Sequence, residues 1–134
     1  MADEDRGYRI LVVEDNETNR LVAADMLEAL GFSSEVVKNG RLAVDRVRRG
    51  GIDLVLMDFR MPELDGFEAT REIRELEERE GMVPIPIVAL TASAMPGDHQ
   101  RCVDVGMNGL LRKPFCLSEL EQTILAFLPG DPIT

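Results

Sequence analysis

Five short strand-like runs divide the chain, at residues 8–13, 34–37, 52–57, 87–90 and 109–112. They show no strict alternation, and several are rich in β-branched residues. Of these, Leu54 to Met57 is an unbroken apolar run and reads as a strand covered on both faces. A helical pattern follows each of the five runs. After the first run, Val22, Ala23, Met26, Leu27 and Leu30 recur at helical spacing, with Asn16 as a cap and Gly31 after the end. A helix over 41–49 follows the second run, with Leu42, Ala43 and Val47 turned inward. After the third run, Asp65-Gly66 turns the chain into a charged helix over 67–80, whose inner stripe is Phe67, Thr70, Ile73 and Leu76. Pro96 suits the first turn of a fourth helix that ends near Gly106. The fifth helix places Leu120, Ile124, Phe127 and Leu128 inward, and Ser118 with Glu121 forms a capping-box pattern at its start. Five β-then-α units in succession predict an α/β fold: a parallel sheet with helices on both faces and right-handed crossovers.

In such a sheet, ligand chemistry gathers at the carboxyl ends of the strands. The residues at those exits are Glu14-Asp15, Asp58, Thr91 and Lys113. The second strand ends without a candidate and is expected to lie away from the site. Taken singly, each exit residue has a plainer explanation: a helix cap, a strand-end hydroxyl, a solvated lysine. Their coincidence on the predicted exits raises a specific chemistry. Carboxylates crowded on adjacent strand ends need protonation or a hard cation, and Mg²⁺ suits oxygen ligands. An ammonium facing that cation gains a purpose when a further anion arrives. A phosphoryl group on Asp58 would be that anion, with Lys113 and Thr91 each contacting one of its oxygens.

Composition narrows the field. The 134 residues fit one domain, expected over 9–128 with tails at 1–8 and 129–134. Hydrophobic residues make up 45%, enough to bury a core. Fifteen Lys and Arg against 25 Asp and Glu give a formal charge of −10, which argues against nucleic-acid binding and against an anionic membrane surface. No run has the length of a transmembrane helix, and the N-terminus lacks a signal-peptide pattern, so a cytoplasmic protein is expected. Cys102 and Cys116 read as two reduced thiols. His99 lies three residues before Cys102, but no further ligands accompany the pair, and it reads as a surface residue. The outward residues are too mixed to assign an oligomeric state.

Four motifs then match a known family. Val12-Val13-Glu14-Asp15-Asn16, Met57-Asp58 with Met61-Pro62 and Asp65-Gly66, Leu90-Thr91-Ala92, and Lys113-Pro114-Phe115 occur in order at suitable intervals. In these the chain resembles the receiver domain of two-component response regulators. The stretch from Thr91 to Asp98, with Asp65 to Thr70 and Asn19, resembles the receivers of hybrid histidine kinases. The resemblance implies a flavodoxin-like (βα)5 doubly wound sheet in the order 2-1-3-4-5. It implies Asp58 as phosphoacceptor from a phosphohistidine, and Asp15, Glu14 and the backbone carbonyl of Arg60 with Asp58 as the Mg²⁺ site. Thr91 and Lys113 would contact the phosphoryl group, and the Lys113–Pro114 peptide would be cis. The expected partner is a histidine kinase or a histidine phosphotransfer protein, and the domain itself is not an enzyme beyond assisting its own phosphorylation and dephosphorylation. Leu110 stands where the family often has an aromatic switch residue. The Arg60 side chain is expected to reach over the site and alter attack by water on the phosphoaspartate.

Other classes fit less well. A haloacid-dehalogenase-type phosphatase needs an acid two residues after its nucleophile, where Arg60 stands. A flavin site needs a Ser/Thr/Gly-rich cradle where Glu14-Asp15-Asn16-Glu17 stands. A receiver-like interaction module that is never phosphorylated would not need the full set of acids, Thr91 and Lys113.

Overall fold

The computed structural model describes residues 7–58, 65–91 and 97–128. The strands are β1 (Arg9–Val13), β2 (Ser33–Val37), β3 (Leu54–Asp58), β4 (Ile87–Thr91) and β5 (Gly109–Arg112). They alternate with α1 (Glu17–Ala29), α2 (Gly40–Arg48), α3 (Gly66–Glu80), α4 (Asp98–Val105) and α5 (Leu117–Phe127). All pairings are parallel, and the sheet order is β2-β1-β3-β4-β5, as the resemblance implied.

The apolarity of β1, β3 and β4 has a physical cause. Residues of β1, β3 and β4 alternate between two separate cores. Leu11, Val13, Val55, Met57, Ile87 and Ala89 face α2, α3 and α4, where they meet Ala43, Val47, Phe67, Ile73 and Cys102. Ile10, Val12, Leu54, Leu56, Val88 and Leu90 face α1 and α5, where they meet Ala23, Leu27, Leu120 and Ile124. A strand with helices on both sides has no wet face to mark with polar residues.

Three local expectations need correction. Leu42 is 39% exposed, because α2 buries Gly40, Ala43, Val44 and Val47, a stripe one position away from it. Val22 is 52% exposed, because α1 turns Ala23 and Leu27 inward and leaves Val22 beside the stripe. The α5 cap is Cys116, not Ser118: the Glu119 carboxylate accepts the Cys116 N–H at 3.0 Å, so the helix begins earlier than the Ser118–Glu121 pattern indicated. Cys102 is buried and Cys116 exposed, with no disulfide between them, and His99 lies at the surface. Pro96 falls outside the described residues.

One ion pair locks the outer strand. Arg46 of α2 is buried, and its guanidinium grips both oxygens of Glu35 on β2 at 2.6 and 3.0 Å. It also donates to the Gly50 carbonyl at 2.7 Å. The hydrogen bond from Arg46 holds the Glu35 carboxyl below its ordinary value of 4.5, against a smaller upward push from burial. A lowered acid stabilises the fold above its ordinary pKa, and that contribution is lost as pH falls through the folded value. Glu35→Ala should therefore cost about 1 kcal/mol at neutral pH, a figure kept low because the carboxylate is partly solvated. Urea unfolding of both proteins should show that difference closing as the pH is taken below 4.5.

Candidate functional site

The strand register builds the site. Val13 pairs with both Val37 and Met57, so Glu14 and Asp58 leave the sheet side by side. Asp58 pairs with Leu90, and Thr91 with Arg112, so the β4 and β5 exits step one residue further at each strand. The Lys113 N–H donates to the Thr91 carbonyl at 2.7 Å, which ties the β5 exit to β4. The Lys113–Pro114 peptide is cis. Strand β2 brings no candidate side chain, as expected of the outer strand.

Glu14, Asp15, Asp58, Thr91 and Lys113 are thus brought to one edge. Glu14, Asp58 and Thr91 are buried, at 2%, 9% and 3% exposure, while Asp15 is exposed. One carboxylate oxygen from each of Glu14, Asp15 and Asp58 lies within 4.8 Å of the others. At that separation each pair of charges repels by roughly 3 kcal/mol at an effective dielectric near 20. Lys113 answers part of this. Its Nζ donates to Glu14 Oε1 at 2.7 Å and lies 3.7 Å from Asp58 Oδ2. Arg60 and Ala92 lie outside the described residues.

Glu14 is held from several sides. Burial alone would push its carboxyl up. The Lys113 hydrogen bond and charge, with the hydrogen bonds from Asp58 and the Asn16 N–H, together overcome that push and hold Glu14 below the ordinary carboxylate range. The Asn16 N–H reaches Glu14 Oε2 at 3.3 Å, while the Asn16 side chain caps α1 by accepting the Asn19 N–H at 2.9 Å. The first loop is therefore a cap and an acid site at once.

Two residues matter to the geometry that the sequence reading passed over. Gly66, read as part of a turn, is the first residue of α3. A Cβ there would overlap the Asp58 carbonyl oxygen and crowd the Met57 side chain at 3.1 Å. Only glycine lets the start of α3 lie against the end of β3. A glycine inside a first helical turn, where propensity disfavours it, is the signal that could have shown this close approach. The second is Arg20, whose Nη1 donates to the Glu14 carbonyl at 2.9 Å. Nothing in its spacing distinguishes it from a surface arginine.

Beside the site, a cavity of about 390 Å³ opens between α1 and the Lys113–Phe115 segment, lined mainly by Val12, Val22, Ala23, Met26, Leu90 and Phe115, with Glu14, Asn19 and Lys113 also at its walls.

The arrangement can bind a hard cation among the acids and an anion against Lys113 and Thr91. The comparisons with known proteins agree with that chemistry. A model of the response regulator receiver domain matches residues 10–125. The chain belongs to this family. Hybrid signal transduction histidine kinase B of Dictyostelium discoideum is 44% identical over 120 residues, covering 84% of the chain and 6% of that protein. The chain thus spans only a small part of the curated relatives it matches. Among solved structures, the receiver domain of sensor histidine kinase PA1611 from Pseudomonas aeruginosa PAO1 has a TM-score of 0.83 at 43% identity, covering 92% of this chain and 99% of that one. That receiver holds a magnesium ion in its active-site cleft. The Ssk1 receiver of Saccharomyces cerevisiae, in a co-crystal with the histidine phosphotransfer protein Ypd1, has a TM-score of 0.85 at 34% identity, covering 92% and 90%.

Replacing the close-packed glycine tests the geometry directly. A Gly→Ala change in a helix normally stabilises by up to about 1 kcal/mol. Gly66→Ala should instead destabilise by about 1–3 kcal/mol, because the methyl group has no room against Asp58. Thermal unfolding of the two proteins reads the sign.

Proposed function

We propose that this receiver accepts a phosphoryl group on Asp58 from a phosphohistidine, as one step of a two-component phosphorelay. An Asp58 carboxylate oxygen attacks phosphorus in line. The nitrogen–phosphorus bond breaks, and its electron pair returns to the imidazole of the donor. The observation that carries this reading is the pairing of three carboxylates with one ammonium: Lys113 lies 2.7 Å from Glu14 and 3.7 Å from Asp58. A cluster with that charge balance suits a cation and an arriving anion together.

The acids fit Mg²⁺: three hard oxygen donors converge, and the Arg60 carbonyl would complete the protein ligands. Bound there, the ion would offset charge on the phosphoryl oxygens. Lys113 would turn from Glu14 toward the phosphoryl group, and the Thr91 hydroxyl would donate to another of its oxygens. The domain would assist its own phosphorylation and dephosphorylation without turning over a free substrate. Arg60 would tune attack by water on the phosphoaspartate.

The partner would be a histidine kinase or a histidine phosphotransfer protein. Leu21 and Val22 of α1 are 61% and 52% exposed, and Val22 lines the apolar cavity beside the site. A helical, apolar partner face seated there would bring its histidine to Asp58. Among the described residues no helix is long and apolar enough to cross a membrane, and a cytoplasmic setting suits such a partner.

Intact mass after incubation with Mg²⁺ and phosphoramidate tests the reading. One phosphate should be gained by the wild type and none by Asp58→Asn. An unchanged wild-type mass would favour an interaction module that is never phosphorylated. Lys113→Met supplies a second check. Removing the ammonium from the acid cluster should tighten Mg²⁺ binding several-fold in a calorimetric titration and should slow phosphorylation.

A further inference from the structure

The β1–α1 loop carries two of the three acids, and Glu14 is held at every polar atom. Its N–H donates to the Val37 carbonyl at 3.1 Å. Its carboxylate accepts Lys113 at 2.7 Å and the Asn16 N–H at 3.3 Å. Its carbonyl lies past the last residue of β1 and accepts Arg20 Nη1 at 2.9 Å. The first three bonds belong to the sheet, the ammonium and the helix start. The fourth comes from a side chain that reaches back from the first turns of α1. The Arg20 backbone N–H is itself bound to the Asn16 carbonyl at 3.0 Å. Arg20 therefore closes a ring of chain around Asp15, anchored by its backbone at one end and its guanidinium at the other.

We propose that Arg20 is a positioning residue for the divalent-cation site, acting through the backbone that presents Asp15. Asp15 is exposed, so its placement depends heavily on the backbone beneath it. The Glu14 carbonyl belongs to the peptide that joins Glu14 to Asp15. Pinning that carbonyl sets the plane of the peptide, and with it the direction in which Asp15 leaves the chain. A charged donor on a carbonyl is among the stronger protein hydrogen bonds. The inference rests on the cluster being a Mg²⁺ site, and it carries a sign that separates it from simple electrostatics. Removing a positive charge near three acids should by itself tighten cation binding. Loss of positioning should weaken it.

Calorimetric titration of Mg²⁺ into the full chain and its variants decides between these. Arg20→Gln should raise the Kd roughly five- to tenfold, the scale of one lost charge-assisted hydrogen bond in part compensated by water. Arg20→Lys, which keeps the charge and one donor, should fall between Gln and wild type. In the metal-free proteins, amide exchange at Asp15 and Asn16 should quicken in Arg20→Gln while the β3 and β4 amides stay protected, so that a general loss of fold is told apart. Phosphorylation by phosphoramidate should need more Mg²⁺ in Arg20→Gln yet approach the wild-type rate at saturation. A Kd that is unchanged or lower in Arg20→Gln overturns the inference while leaving the site reading intact. A wild type that binds no Mg²⁺ overturns both.

Discussion

Mutual repulsion among Glu14, Asp15 and Asp58 is the constraint to which the rest of this domain answers. Like charges do not gather within 4.8 Å unless the chain leaves them no alternative. Here the alternative is removed by sheet register. Val13 and Met57 are paired in the ladder, so the next residue of each strand must emerge beside the other. To separate Glu14 from Asp58, the molecule would have to slip β1 against β3. A slip of one residue would exchange the two apolar cores on every strand involved. The burial of Ile10, Leu11, Val12, Leu54, Val55 and Leu56 thus holds the acids together. Lys113 reaches them from the end of β5, across β4.

The supports around the site share a theme. Each fixes the exit of a strand or the start of the helix that follows one. Asn16 caps α1 while its N–H binds Glu14, and Asp65 caps α3 by accepting the Glu68 N–H at 2.9 Å. Gly66 lets α3 begin against the Asp58 carbonyl. The Lys113 N–H is bound to the Thr91 carbonyl. These contacts are short in sequence or lie across adjacent strands, so they form wherever the sheet forms. The like charge is concentrated in three carboxyl groups, and backbone hydrogen bonds hold the chain that carries Glu14 and Asp58. A site of this kind suits phosphoryl transfer, where catalysis comes mainly from positioned charge.

Much of this was legible in the residues. Five β-then-α units in succession point to the two-sided sheet, and the strand exits point to Glu14, Asp15, Asp58, Thr91 and Lys113, because chemistry in such folds collects at one edge. The strand order came from family resemblance, since period and composition do not say which strands are neighbours. What escaped the reading was set by distance between elements. Spacing points Leu42 and Val22 inward, but a helix stripe can rotate by one position without changing its period, and both are exposed. The α5 cap was placed on Ser118, although Glu119 bonds the backbone of Cys116. Arg20 and Gly66 act on backbone atoms of other elements, and a backbone carbonyl leaves no mark in the sequence.

The opposite flank shows how the domain holds α4 without an aromatic on β5. Leu110 is partly buried against the core beneath α2, α3 and α4. Two arginines then tie α4 to α3. The Arg101 guanidinium of α4 lies 3.9 Å from the centre of the Phe67 ring on α3. Arg74 of α3 donates to the Gly106 carbonyl at the end of α4 at 2.9 Å, to Glu77 at 2.8 Å and to Asn108 at 2.9 Å. Glu77 in turn accepts the Ile85 N–H, and Asn108 the Ile87 N–H, each at 2.8 Å, so the same network reaches the start of β4. Movement of α4 relative to α3 would have to break the contacts at one or both of its ends. These contacts bind α4 to the helix that follows β3 at both of its ends.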